Sequence, residues 1–173
     1  MSPAFHIATA TPADAARLTQ FVNNAYRGEE ARQGWTTEAD LLDGQRIDEA
    51  GMTDMLALPH ATILLCQNEG GQLLGSFHVQ AKGPLLYLSM LAVEPAGQGR
   101  GVGRFLLGAA ENYGRQHGCT LSRMTVISVR AELLAYYERQ GYGRTGATEP
   151  FPTDPRYGIP RQPLLLLVLE KPL

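Results

Sequence analysis

The stretch Leu85-Leu86-Tyr87-Leu88-Ser89-Met90-Leu91-Ala92-Val93-Glu94-Pro95-Ala96-Gly97-Gln98-Gly99-Arg100-Gly101-Val102-Gly103-Arg104 joins an apolar run to a glycine-rich turn. Val102, Phe105, Leu106, Ala109, Ala110 and Tyr113 then recur at helical spacing. The pattern predicts a buried strand, a glycine turn and a helix that begins inside the glycines. Glycines let backbone N–H groups approach an anion, and the unpaired donors and dipole of a helix start favour negative charge. Arg100 and Arg104 add two permanent cations beside the same spot. The segment therefore reads as a phosphate-holding device.

Two common phosphate loops do not fit. A P-loop needs Lys followed by Ser or Thr after its last glycine, where this chain has Val102-Gly103-Arg104. A dinucleotide fingerprint started at Gly97, Gly99 or Gly101 finds Val102, Arg104 or Leu106 in place of its third glycine. What is present is Gln-x-x-Gly-x-Gly, preceded by Leu91-Ala92-Val93-Glu94-Pro95.

On these residues the chain resembles the GNAT superfamily of acyl-CoA-dependent N-acetyltransferases, in which this motif binds the coenzyme A pyrophosphate. Leu133-Leu134-Ala135-Tyr136-Tyr137-Glu138-Arg139-Gln140-Gly141-Tyr142 independently resembles the family's helix ending in aromatic-Tyr-Glu-Lys/Arg-x-Gly-aromatic. The resemblance implies that Gln98, Gly99, Arg100, Gly101, Val102, Gly103 and Arg104 form the pyrophosphate site. It implies that the backbone of Leu91, Ala92 and Val93 lines the pantetheine arm, and that Tyr137 is the general acid near the thioester sulfur. Relatives place an Asn seven residues before that Tyr; this chain has Arg130, so either Arg130 or Ser128 takes over the arm contact or the contact is missing. Acetyl-CoA is the implied co-substrate, with no metal.

The acceptor and the general base are less legible. Glu29 and Glu30 follow the first predicted helix and either bind a cationic amine or form an exposed charged turn; Arg27 and Arg32 beside them would equally suit a carboxylate. Trp35, the only Trp, either walls the acceptor pocket or pins its loop to the core. His78 either serves as base, directly or through water, or is solvated at an outward strand position. The central strand itself offers only Tyr87 and Ser89 as polar groups.

The bulk properties agree with a globular enzyme. The chain has 173 residues, 44% hydrophobic and 18% charged, enough for one domain with a sizeable core. A net charge of −2 and a pI of about 6.1 argue against a nucleic-acid or membrane-surface binder. Met1 to His6 carries no leader-like pattern, and the aliphatic run Leu164 to Leu169 is too short to span a bilayer. Cys66 and Cys119 sit in apolar surroundings that suit buried reduced thiols, and the default location is cytoplasmic.

The predicted element order is a strand at 5–9, a helix from Pro12 to about Tyr26, and short helices around Glu38–Asp43 and Asp48–Leu58. A hairpin at 61–66 and 73–80, the central strand, the glycine loop with its helix, a strand at 121–129, a helix at 131–140, a short strand from Tyr142, a Pro-rich loop at 150–163 and a last strand at 164–170 follow. This describes a single α/β (α+β) domain over 1–173, with a GNAT-like mixed, mostly antiparallel sheet flanked by helices. The functional expectation is an N-acetyltransferase moving an acetyl group from acetyl-CoA to a primary amine of a small molecule or peptide. The alternatives are a non-catalytic acyl-CoA-binding or sensing module on the same fold and a nucleotide-binding protein. Homodimer formation is left open.

Overall fold

A computed structural model describes residues 4–27 and 38–173. A seven-stranded sheet has the order β1-β3-β4-β5-β6-β9-β7. Its strands are β1 (His6–Thr9), β3 (Ala61–Gln67), β4 (Leu73–Lys82), β5 (Leu85–Val93), β6 (Leu121–Ile127), β7 (Gly143–Pro150) and β9 (Leu165–Pro172). All neighbours are antiparallel except β5 and β6. Two short strands, β2 (Leu42–Asp43) and β8 (Ile159–Pro160), pair separately.

The helices cover opposite faces. α1 (Ala15–Tyr26) and α2 (Glu49–Leu56) bury Leu18, Val22 and Met52 against Ile63, Leu65, Met90 and Ala92. α3 (Val102–Gln116) and α4 (Ala131–Arg139) bury Leu106, Ala110, Leu134 and Tyr137 with Phe77, Val79, Leu86 and Leu88. β5 thus feeds two cores, Leu86 and Leu88 on one side of the sheet and Met90 and Ala92 on the other, so its period-2 alternation is broken between Leu88 and Met90.

Local chemistry explains the element ends. The Asp14 carboxylate accepts from the Thr11 N–H at 2.8 Å where the first helical turn begins. Asp48 caps α2 by accepting from the Gly51 N–H at 2.7 Å. Residues 38–43, expected as a short helix, instead form a turn leading into β2, because Leu42 is buried against Ile127 and Leu164 and its strand pairs with β8. Tertiary packing overrides local propensity there.

Two irregularities open the sheet. The register of β4 and β5 shifts between His78↔Ser89 and Ser76↔Ala92, so Met90 and Leu91 together oppose Phe77. Met90 carries a φ of 57° at this bulge, a conformation rare for a non-glycine residue and concentrated at functional sites. On its other edge β5 pairs with β6 only at Leu85, Leu86 and Tyr87. Beyond Tyr87 the two parallel strands part.

Candidate active site

The gap between β5 and β6 continues into a cavity of about 470 Å³. Its walls are the end of β5, the glycine turn with the start of α3, the inner face of α4 and the end of α1. That volume is in the range of small-molecule sites.

The glycine turn is shaped by backbone conformation. Gly99 and Gly101 have φ of 83° and 88°, and a Cβ on either would meet no atom within 4 Å. These glycines answer a conformational demand, since the left-handed region is unfavourable for side-chain-bearing residues. Gly101 is the N-cap of α3, so the N–H groups of Val102, Gly103 and Arg104 have no intrahelical acceptor and belong to the end facing the cavity. Gly103 instead meets a crowded wall, where a Cβ would stand 3.3 Å from the Tyr136 hydroxyl.

Of the residues expected from sequence, the cavity brings together Leu91, Ala92, Val93, Gln98, Gly99, Gly101, Val102, Gly103, Arg104, Arg130 and Tyr137. Arg100 lies exposed on the turn outside the lining. His78, expected at an outward position, is 3% exposed and is not a wall of this cavity. A position that alternation assigns to the face opposite Phe77 and Val79 is buried all the same, with the Met55 backbone of α2 acting on the ring. Glu29, Glu30, Trp35 and Arg32 lie outside the described residues.

Tyr26, Leu133, Tyr136, Arg139 and Gln140 also line the cavity, and sequence reasoning missed them. The signal for Tyr136 was its adjacency to Tyr137; Tyr26 at the end of α1 carries no local signature.

Tyr137 is 5% exposed and packs edge-on to Tyr136 and Tyr142, with ring centroids at 5.3 and 6.1 Å. Burial pushes its phenol well above the usual tyrosine range, with further elevation from Tyr26 and Tyr136. The group is therefore protonated throughout the physiological range and offers a hydrogen bond rather than an easily lost proton. Burial likewise raises Tyr26 to about 12.

Arg130 begins α4 and is 7% exposed. Its guanidinium lies 3.4 Å from Glu38, which also accepts from Arg27 at 2.6 and 2.9 Å. Arg27 further donates to the Gln45 and Tyr157 carbonyls, both at 2.6 Å. The cluster joins the end of α1, the chain entering β2, the loop before β8 and the start of α4. Arg27 is thereby occupied by structural partners, which removes it from the residues that would greet an acceptor.

The lining fits a coenzyme A arm on an observation independent of motif. The buried Gln98 Oε1 atom on the cavity wall has no hydrogen-bond partner among the described residues and is an acceptor suited to an amide N–H. Among the described residues, no group of three His, Cys, Asp or Glu side chains is placed to hold a metal ion. None of the described helices is long and apolar enough to cross a membrane.

Fold and cavity together define an acyl-CoA-dependent transferase. Residues 19–151 match the family described as Acetyltransferase (GNAT) domain, and the chain belongs to that family. An IAA acetyltransferase of Azospirillum brasilense is 26% identical over 133 residues, 77% of this chain and 76% of that protein. The fold matches the ribosomal-protein-S18-alanine N-acetyltransferase from Escherichia coli with a TM-score of 0.71 at 16% identity, covering 98% of this chain and 94% of that one. It also matches yncA from Salmonella typhimurium, solved with its cofactor acetyl-CoA, with a TM-score of 0.69 at 23% identity and coverage of 98% and 94%. The protein is an acetyl-CoA-dependent N-acetyltransferase.

Proposed function

We propose that the chain acetylates a primary amine of a small molecule or peptide by direct attack on the thioester, with Tyr137 assisting departure of the thiol. The observation that carries this reading is the position of Tyr137. It stands on α4, protonated, in a cavity also lined by the Leu91–Val93 segment of β5 and the start of α3.

Acetyl-CoA supplies an activated acyl group. The N–H groups at the start of α3 and Arg104 would hold its pyrophosphate, and the Leu91–Val93 backbone, freed from β6, would align its arm. As the carbon–sulfur bond breaks, negative charge grows on sulfur. The Tyr137 phenol donates a hydrogen bond to that charge, within a cavity where such bonds are strengthened by low dielectric. Its raised pKa means that stabilisation through the hydrogen bond precedes full proton transfer, because a thiol is ordinarily the stronger acid.

The test is calorimetric binding of acetyl-CoA followed by turnover of an amine panel comprising an amino acid, an aminoglycoside and a peptide beginning with alanine. Tyr137→Phe should bind acetyl-CoA as the wild type does and lose kcat by about 10²-fold, the scale of one proton-transfer group. Wild-type kcat in the variant would remove Tyr137 from the chemistry.

A further inference from the structure

We propose that Ser89 and His78 form the proton relay of the acetyl transfer, with Ser89 Oγ taking the proton of the attacking amine as its own proton passes to His78 Nδ1. The proposal rests on the reading above that the acceptor is a primary amine. It supplies the base that neither the glycine turn nor Tyr137 provides.

Ser89 on β5 stands opposite His78 on β4, and its Oγ lies 3.1 Å from His78 Nδ1. β5 and β6 are hydrogen-bonded only as far as Tyr87 and Arg123, so Ser89 is the first residue on its face beyond the point where they part. Continued in the same register, it would oppose Thr125. Both Ser89 and Thr125 are exposed, whereas His78 beneath them is 3% exposed. A buried imidazole therefore reaches the open gap only through the Ser89 hydroxyl.

The gap has two sides with different tasks. The cavity that fits the coenzyme arm lies against α3 and α4, meets Ala25 and Tyr26 at the end of α1, and runs along Leu91, Ala92 and Val93. The face of β5 that carries α1 and α2 offers a nucleophile a second approach to a thioester held there. Ser89 presents its side chain on that face, two residues before Leu91 and next to the bulge at Met90.

The hydrogen-bond inventory sets the direction of transfer. A neutral imidazole has one N–H and one lone pair. His78 Nε2 is buried and makes no well-formed hydrogen bond, and the polar group acting on the ring from α2 is the Met55 backbone. With the ring proton on Nε2, the Nδ1 lone pair receives the Ser89 hydroxyl. The Ser89 oxygen then keeps its own lone pairs for the amine. Burial holds the His78 ring below its ordinary proton affinity, with a smaller opposing pull from Met55 and no charged side chain among the described residues acting on it. The resting ring is neutral and able to accept.

In the balanced step the amine nitrogen bonds to the carbonyl carbon, the carbon–sulfur bond breaks, and its electron pair leaves on sulfur. One amine proton moves to Ser89 Oγ and the Ser89 proton moves to His78 Nδ1. The Tyr137 hydroxyl holds the departing thiolate by a hydrogen bond, and the sulfur takes its proton from solvent as coenzyme A leaves. His78 returns its proton through the exposed Ser89. Ser89 is the catalytic member of the pair, and His78 acts through it.

The test has two arms. Nitrogen-15 histidine spectra of the wild type at neutral pH should show His78 protonated on Nε2, and Ser89→Ala should release that tautomer; a proton found on Nδ1 would overturn the relay. Kinetics with the amine panel at saturating acetyl-CoA should show kcat of Ser89→Ala reduced by about 10²-fold. Acetyl-CoA affinity should be unchanged, the acid limb of the kcat profile lost, and Ser89→Thr should restore both. Wild-type kcat with an intact acid limb in Ser89→Ala would sink the proposal. If the wild type binds acetyl-CoA yet turns over no amine, the acceptor class fails and the relay stands or falls on the tautomer alone.

Discussion

The Tyr26 hydroxyl donates to the Leu91 carbonyl at 2.5 Å, tying the last residue of α1 to the parted end of β5. Leu91 lies in the bulge and beyond the pairing with β6, so its carbonyl finds its partner outside the sheet ladder. The bond thus fixes the cavity wall and the cover over it with one contact. Tyr26→Phe leaves that carbonyl unsatisfied and should lower unfolding free energy by about 1–3 kcal/mol. Acetyl-CoA affinity should fall with it, both being readable from urea titration and calorimetry.

The turn at Gly101 tests the cradle without introducing charge. Its φ of 88° is hostile to a side chain, although the space around it is open. Gly101→Ala should therefore cost about 1–2 kcal/mol of local strain, or move the start of α3 to relieve it. Either outcome weakens acetyl-CoA binding in calorimetry. Unchanged affinity would mean that the N–H groups at this helix start do not hold the pyrophosphate.

Gly75 makes a different demand, through space. A Cβ there would lie 2.8 Å from both Leu106 Cδ1 and Val102 Cγ1 and 3.0 Å from the Ala92 carbonyl. This glycine lets α3 sit directly on β4 beside the bulge. Gly75→Ala should destabilise the fold by about 1–3 kcal/mol through overpacking, seen as a lower Tm. It should also displace the glycine turn and so weaken acetyl-CoA binding.

Glu38 holds Arg27 and Arg130 with side-chain exposures of only 5%, 3% and 8%. Glu38→Gln removes the negative charge that both buried guanidinium groups share. Breaking a buried ion cluster in this way should cost about 3–5 kcal/mol by urea denaturation. The charge-restoring Glu38→Asp should recover part of the loss.

His78 links stability to pH. Its folded-state pKa lies below the ordinary value of 6.5, so the unfolded chain binds the extra proton first as pH falls. The stabilisation is complete above the ordinary value and is lost as pH drops through the folded one. Urea midpoints measured at about pH 7.5 and about pH 5.5 should therefore fall towards acid, and His78→Gln should flatten that slope.

What could be read along the chain was local. The apolar run of β5, the glycine turn, the stripe of α3 and the Tyr137 helix were legible because each rests on spacing between near neighbours in the chain. The order of elements followed, and with it the mixed sheet, while the acyl-CoA class came from the resemblance of the Gln98–Gly103 and Leu133–Tyr142 segments to a known family. Tertiary structure alone decided the rest. Glu38 reads as the start of a short helix, yet it becomes the centre of an ion cluster because residues 11 and 92 positions away converge on it. Arg27 reads as an acceptor contact, yet the loop before β8 saturates it. His78 reads as outward-facing, yet it is buried and turns its one reachable nitrogen towards Ser89. Such roles depend on burial and on contacts between distant segments, and neither leaves a periodic trace in the chain.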